Sequence, residues 1–254
     1  MTAAAPTVIV TGGTSGIGRA ISEVLVERGY AVLATGRGVA QGEELAAALG
    51  PRLAFVSVDH ADPNAADIVI AAYKALDPAV FGRLVGLVNN VGRRHNDFIG
   101  EHDATRLAET LALNVTATIL MTQAVVPLFD AAGGGSIVSV SSRLAVAGMA
   151  GVSGYAASKG AINSFSTAAA IELAPKNIRV NVVSPGMTKT PLIEAWLSDQ
   201  PDPVVAEQEQ AGRVPLARLC SEQDVAAAVA YLISDGAQYV TGIVLPVDGG
   251  YTAA

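Results

Sequence analysis

The sequence predicts an α/β fold: a doubly wound, seven-stranded parallel sheet with helices on both faces. Three observations carry this. Seven short apolar runs alternate with longer Ala-rich amphipathic stretches. Most of the runs are Val/Ile-rich with little alternation, as strands covered on both faces are. A glycine-rich turn joins the first run to the first helical stretch, as dinucleotide-binding sheets require.

The elements follow in order. The runs lie at 7–10, 31–34, 53–58, 84–88, 136–140, 178–183 and 242–247. Helices are predicted near 16–29, 40–49, 64–76, 103–131, 154–174 and 221–234, with Pro175 ending the fifth. The stretch 187–215 is irregular and holds Pro191, Pro201, Pro203 and Pro215. After a strand, such a segment is either a substrate lid or a surface loop. Seven strands in 254 residues leave no room for a second unit, so 1–254 reads as one domain without repeat or linker.

Composition narrows the function. Half of the residues are apolar and 15% are charged, which excludes a disordered chain. Net charge is −7, and no Lys/Arg run exceeds the pair Arg93 and Arg94. That argues against a nucleic-acid partner and against a polybasic membrane surface. The single cysteine, Cys220, excludes an intrachain disulfide and a cysteine-cluster metal site and fits a reducing compartment; no metal is expected. No secretory signal is visible and no apolar run reaches about 18 residues, so a cytoplasmic location is expected.

The glycine turn is Gly12, Thr14, Ser15, Gly16, Ile17 and Gly18 between strand and helix. Glycines let the backbone approach a pyrophosphate, and the helix start offers free N–H groups to it. About 20 residues on, an acid would bind a ribose 2′-hydroxyl. Gly36 stands there instead, followed by Arg37. A guanidinium can grip a 2′-phosphate, which favours NADP(H), with NAD(H) possible. The alternative is a solvated loop charge.

Tyr155 and Lys159 stand four apart at the start of a helical stretch, on one face. An ammonium beside a phenol lowers its pKa and makes it a usable acid/base. Ser142 lies just past the fifth strand, where α/β sheets hold ligands, and could donate to a carbonyl oxygen; Ser139 and Ser141 are close alternatives. Asn114 interrupts an apolar helix, where a solvated side chain is the ordinary outcome.

These residues carry a resemblance. The glycine turn, Asn89-Asn-Val-Gly92, Asn114, Ser142, Tyr155-x-x-x-Lys159, Pro185-Gly186 and the closing Val247-Asp-Gly-Gly250 occur in order over nearly the whole chain. The chain resembles the short-chain dehydrogenase/reductase family, which implies a Rossmann-like fold and reversible hydride transfer between a nicotinamide and a carbonyl or secondary alcohol. The resemblance implies that Tyr155 is the acid/base, Lys159 its pKa partner and a ribose ligand, and Ser142 the holder of the substrate oxygen. Asn114 would anchor a water that continues a proton relay. On the cofactor it implies Asp59 and His60 at the adenine, Asn90 and Gly92 along the site, and Pro185, Gly186, Thr188 and Thr190 at the carboxamide. Val91 and His60 depart from the family's usual residues.

Arg93, Arg94 and His95 follow the fourth strand at the mouth of the expected site, and Arg143 follows Ser142. They either touch an anionic or polyhydroxylated substrate, such as a sugar acid, a polyol or another polar ketone, or form a solvated rim or subunit contact. In 187–215, Leu192, Ile193, Trp196 and Leu197 mark one helical face that either closes on substrate or packs on the core. His102 is placed on a helix surface, and Cys220 reads as inert. Small residues on 103–131 and 154–174 suit close helix contact, and by family analogy a homotetramer, or a homodimer, is expected. A 3-oxoacyl thioester reductase is the alternative within the family. An NADP(H)-binding redox sensor or scaffold is the alternative outside catalysis.

Overall fold

The computed structural model describes residues 4–253. Seven strands form one parallel sheet: β1 (Ala5–Thr11), β2 (Ala31–Gly36), β3 (Leu53–Ser57), β4 (Phe81–Asn89), β5 (Gly135–Val140), β6 (Ile178–Pro185) and β7 (Val244–Val247). Their order is β3-β2-β1-β4-β5-β6-β7. The chain winds outward from β1 in one direction and from β4 in the other. Side chains alternate across the sheet: Val8, Val10, Val32 and Ala34 face one core, while Ile9 and Leu33 face the other. Continuous apolar runs are therefore what a sheet buried on both sides demands.

The first core is closed by α1 (Gly16–Glu27), α2 (Val39–Leu49) and α9 (Glu222–Ile233). The second is closed by α3 (Ala65–Lys74), α5 (Ala117–Ala131) and α6 (Ser153–Leu173). Helix starts are encoded locally. Ser221 caps α9 in a reciprocal box with Asp224, and Asp103 caps α4 (Ala104–Leu111) by accepting from Arg106 N. The helix predicted at 103–131 is broken: α4 and α5 are joined by a widened π turn, Ala112–Thr116, that carries Asn114. By length and composition the whole stretch Ala104–Ala131 could cross a membrane, which the sequence reading did not anticipate. Met121, Val125 and Phe129 of α5 are instead buried in the second core, the ordinary reason for an apolar helix in a globular fold.

The stretch 187–215 is more ordered than its prolines suggest. It forms α7 (Pro191–Ser198) and α8 (Pro203–Ala211). Thr190-Pro191 and Asp202-Pro203 are helix starts, each with a capping oxygen followed by proline at the first helical position. A proline there gives up an N–H that has no helical partner anyway, so these prolines begin helices rather than break them. Two backbone bonds, Lys189 N to Cys220 O at 2.8 Å and Cys220 N to Met187 O at 3.0 Å, tie the segment's start to the approach of α9.

His60, which departs from the family's usual residue, has a side chain packed beside β2. It is 4% exposed, and its Nε2 lies 2.6 Å from Thr35 Oγ1 on β2. Nδ1 has no partner. Burial pushes its pKa down to about 4, against a smaller opposing pull from Asp59. An unfolded histidine binds a proton near pH 6.5, so between pH 6.5 and 4 the unfolded chain holds more protons and stability falls as pH falls. The loss at pH 4 is expected to be roughly 3 kcal/mol. In urea unfolding across this window, the stability difference between His60→Gln and wild type should shift by about that amount in favour of the variant as pH falls. A pH-independent difference would contradict this account.

Candidate active site

The site is built where the strand order reverses, at the carboxyl ends of β1 and β4, the place where open α/β sheets hold ligands. Thr11, the last residue of β1, donates through Oγ1 to Val88 O at 3.3 Å. The same oxygen accepts from Asn90 N at 3.0 Å and from Val91 N at 3.2 Å. Asn90 Nδ2 donates to Thr11 O and Gly12 O, both at 3.1 Å. Asn90 thus clamps the glycine turn through its side chain, a structural use the resemblance did not give it.

The glycines are needed for conformation and for space. Gly12 and Gly16 have φ of +63° and +54°. A Cβ on Gly18 would lie 2.0 Å from Gly12 O and 2.6 Å from Asn90 Nδ2. Ser15 precedes α1 with its side chain exposed, Thr14 is buried against Gly36, and α1 has no acid in its first turn. Open N–H groups at a helix start without a competing carboxylate on that turn fit a dinucleotide pyrophosphate. Asp59 is exposed and accepts from Ala61 N at 3.0 Å. Arg37 is exposed just beyond β2 and makes no ion pair among the described residues.

Tyr155 and Lys159 share one face of α6 as their spacing predicts. Lys159 Nζ lies 5.8 Å from the Tyr155 ring centre and donates to Val140 O at 2.8 Å. Burial lowers the Lys159 pKa to about 8. Burial raises the Tyr155 phenol, while the Ser142 hydroxyl and the Arg94 charge pull it down. Ser142 Oγ accepts from Leu144 N at 3.2 Å, which leaves its own proton available. A Cβ on Gly92 would lie 3.3 Å from both Lys159 Nζ and Asn114 Oδ1, a tight approach, so the backbone at Gly92 packs closely on the ammonium.

Asn114 is not solvated; it is 1% exposed. Its Oδ1 accepts from Arg93 N at 2.7 Å, and Nδ2 donates to Arg93 O at 2.8 Å and to Ser158 Oγ at 2.9 Å. Both amide hydrogens are committed, so the side chain holds backbone rather than donating to a water. The π turn explains the position, because it lets a polar side chain sit mid-helix with its bonds made elsewhere.

Tyr155, Ser142 and Lys159 line one cavity of about 600 Å³, together with Pro185, Gly186, Thr188 and Thr190. Trp196 and Arg143 also line it. Of the basic run after β4, Arg94 reaches this cavity and bonds Asn96 Oδ1 at 2.9 Å. Arg93 reaches its edge, but its guanidinium pairs with Glu109 at 3.0 Å. His95 is not among the residues of the cavity wall: its Nδ1 lies 3.1 Å from Thr110 Oγ1 on α4. His102 precedes α4 rather than lying on a helix, and its Nε2 is 2.9 Å from Ser153 Oγ.

Three residues were not foreseen. Arg213 and Gln210, from the end of α8 and just beyond it, line the cavity although they follow Tyr155 by more than 50 positions. No local signal marks them, since their place depends on how α8 folds back. Glu222 Oε1 is buried without a partner, 3.6 Å from where a Cβ on Gly16 would be. Burial raises its pKa, and Glu194 and Glu23 raise it further.

Comparison with known proteins places this arrangement. A family model described as enoyl-(acyl carrier protein) reductase matches residues 12–252. Cis-4-hydroxycyclohexanecarboxylate dehydrogenase of Sinomonas cyclohexanicum is 37% identical over 250 residues, 96% of each chain. The 3-oxoacyl-[acyl-carrier-protein] reductase FabG of Salmonella typhimurium is 33% identical over 242 residues, 95% of each chain. A solved structure titled short chain dehydrogenase/reductase family protein superposes with a TM-score of 0.87 at 34% identity, over 99% of this chain and 100% of that one.

The contact of Gly18 with Gly12 is the most direct to test. Gly18→Ala forces backbone apart, so it should weaken NADPH binding by at least about tenfold in fluorescence titration with the far-UV CD spectrum unchanged. Unaltered affinity would place the nucleotide elsewhere.

Proposed function

We propose a function from one premise: the chain belongs to the short-chain dehydrogenase/reductase family. It is an NAD(P)-dependent oxidoreductase acting on a CH–OH group, or the matching carbonyl, of a small molecule. We assign the chemistry to the wall formed by Tyr155, Ser142 and Lys159. The observation that carries this is their convergence on one cavity that also reaches the end of β6.

The bound nicotinamide supplies the hydride donor or acceptor. The protein supplies the proton and the geometry. Tyr155 gives a proton to the substrate oxygen in reduction and takes it in oxidation. Lys159, as an ammonium, favours the phenolate and counters the burial that would raise the tyrosine. Ser142 uses its free proton to donate to the same oxygen. Asn114 acts as a positioning residue: it fixes the Gly92–Arg93 backbone over Lys159.

For the cofactor, we assign the pyrophosphate to the turn from Gly12 to Gly18, with Thr14, Ser15 and Ile17, and the carboxamide to Thr188 and Thr190. We favour NADP(H). A side chain at Gly36 would meet Thr14 Oγ1 at 2.8 Å, so an acid there conflicts with the turn, and Arg37 beside it is free to bind a 2′-phosphate. The substrate is assigned as a small cyclic or polar secondary alcohol or ketone; the hydroxycyclohexanecarboxylate dehydrogenase relative supports a ring alcohol. We take 1–254 as one domain and 187–215 as its lid. A homotetramer in the cytoplasm is the assembly and location we favour. The position of β7 at the edge of the sheet and the 76% exposed Ile171 on α6 support self-association.

Two measurements test this. Tyr155→Phe should lower kcat by about 10²- to 10⁴-fold and leave NADPH affinity within about threefold. Retained turnover would remove Tyr155 from the chemistry. Arg37→Ala should weaken NADPH binding by about tenfold or more and leave NADH unchanged, the loss of one charge-assisted contact. If wild type binds NADH as tightly as NADPH and the variant matches it, Arg37 is a bystander.

A further inference from the structure

The cavity beside Tyr155 has an unusual charge balance. Four arginines and Lys159 line it, and no Asp or Glu does. The chain as a whole carries 23 acidic against 16 basic residues. Cations gathered in a hollow without counter-charge repel one another and cost stability unless an anion is held there. Two of the five are accounted for. Arg93 pairs with Glu109, and Lys159 spends a donor on Val140 O.

The other three form no ion pair among the described residues. Arg94 bonds a neutral amide, Asn96. Arg143 stacks on the Tyr251 ring, with its guanidinium carbon 3.8 Å from the ring centre. The nearby Asp248 is occupied with Gly250 N, Thr252 N and Thr252 Oγ1. Arg213 forms no ion pair among the described residues. It stands close enough to Arg143 that its charge, after burial, helps to lower the Arg143 pKa, although Asp248 and Tyr251 oppose this.

Two of these arginines are tied to the wall of Tyr155 and Ser142. Arg94 acts electrostatically on Tyr155, and Arg143 adjoins Ser142 in sequence. Arg213 comes from the segment after α8, so Arg143 and Arg213 reach the cavity from different elements. Leu144, Met149, Leu192 and Trp196 supply apolar wall between them. Such a wall suits an apolar body, and a fork of guanidiniums suits a carboxylate.

We propose that Arg143 and Arg213 form a clamp for the carboxylate of the substrate, so that the enzyme takes compact, apolar-bodied hydroxy or oxo carboxylic acids and discriminates against their neutral analogues. The clamp rests on the oxidoreductase reading above and deepens it. The anion bridges the sheet end to the segment after α8, and Arg94 adds charge without being required for the bridge.

The test uses NADPH-saturated enzyme, so that cofactor anions are already placed, with 4-oxocyclohexanecarboxylate and its amide as probes. Wild type should prefer the carboxylate by at least about tenfold in kcat/KM. Arg213→Gln and Arg143→Gln should each lower kcat/KM for the carboxylate by about 10- to 100-fold, mostly through KM, and leave the amide within about twofold. Equal use of both probes by wild type, or equal losses on both probes in the variants, would overturn the clamp. Trp196, the single tryptophan, lines the same cavity and reports binding without turnover. If neither probe is reduced, cyclohexanecarboxylate binding by Trp196 fluorescence that vanishes in Arg213→Gln upholds the clamp and removes the ring-ketone substrate. No such binding overturns the clamp. Arg213-dependent reduction of acetoacetyl-CoA in preference to the ring carboxylate would reassign these arginines to the phosphates of a thioester and also overturn it.

Discussion

The clamp between the ends of β1 and β4 is the constraint on which the site depends. Four hydrogen bonds join Thr11 to Val88, Asn90 and Val91 across the two strands, two of them with Asn90, and a fifth joins Asn90 to Gly12. The reversal of strand order leaves a crevice here, and a crevice exposes backbone that must be satisfied. The clamp satisfies it from within the protein and fixes the glycine turn relative to the strand that leads to Gly92. Displacing Asn90 would move both the nucleotide turn and the backbone that roofs Lys159.

From that roof a buried polar column runs through the second half of the fold. Asn114 on the π turn grips the Arg93 backbone and Ser158; Lys159 sits beneath Gly92 and donates to the end of β5. A buried ammonium is costly without partners and is stable here because a carbonyl meets it. The same burial lowers the lysine and raises the tyrosine, which moves two ordinarily similar pKa values apart. That separation comes from packing, because burial is the largest cause of both shifts.

The acidic surface and the basic cavity are complementary. Net charge is negative over the chain, while the charged residues that line the cavity are all basic.

The sequence by itself determined the sheet, since buried parallel strands must be apolar throughout and seven runs could be counted. It also determined the glycine turn and the Tyr155–Lys159 pair, because both are local spacings read along one element. Helix starts at Thr190-Pro191 and Asp202-Pro203 were written there too, though prolines read as breakers concealed them. Tertiary structure decided what depends on the far side of a contact. It buried Asn114 and His60, turned His95 away to Thr110, and set Arg93 on Glu109. It brought Arg213 opposite Arg143 across 70 positions of chain. Periodicity reports which face a residue occupies, but the partner on that face comes from another element, and only the folded chain supplies it.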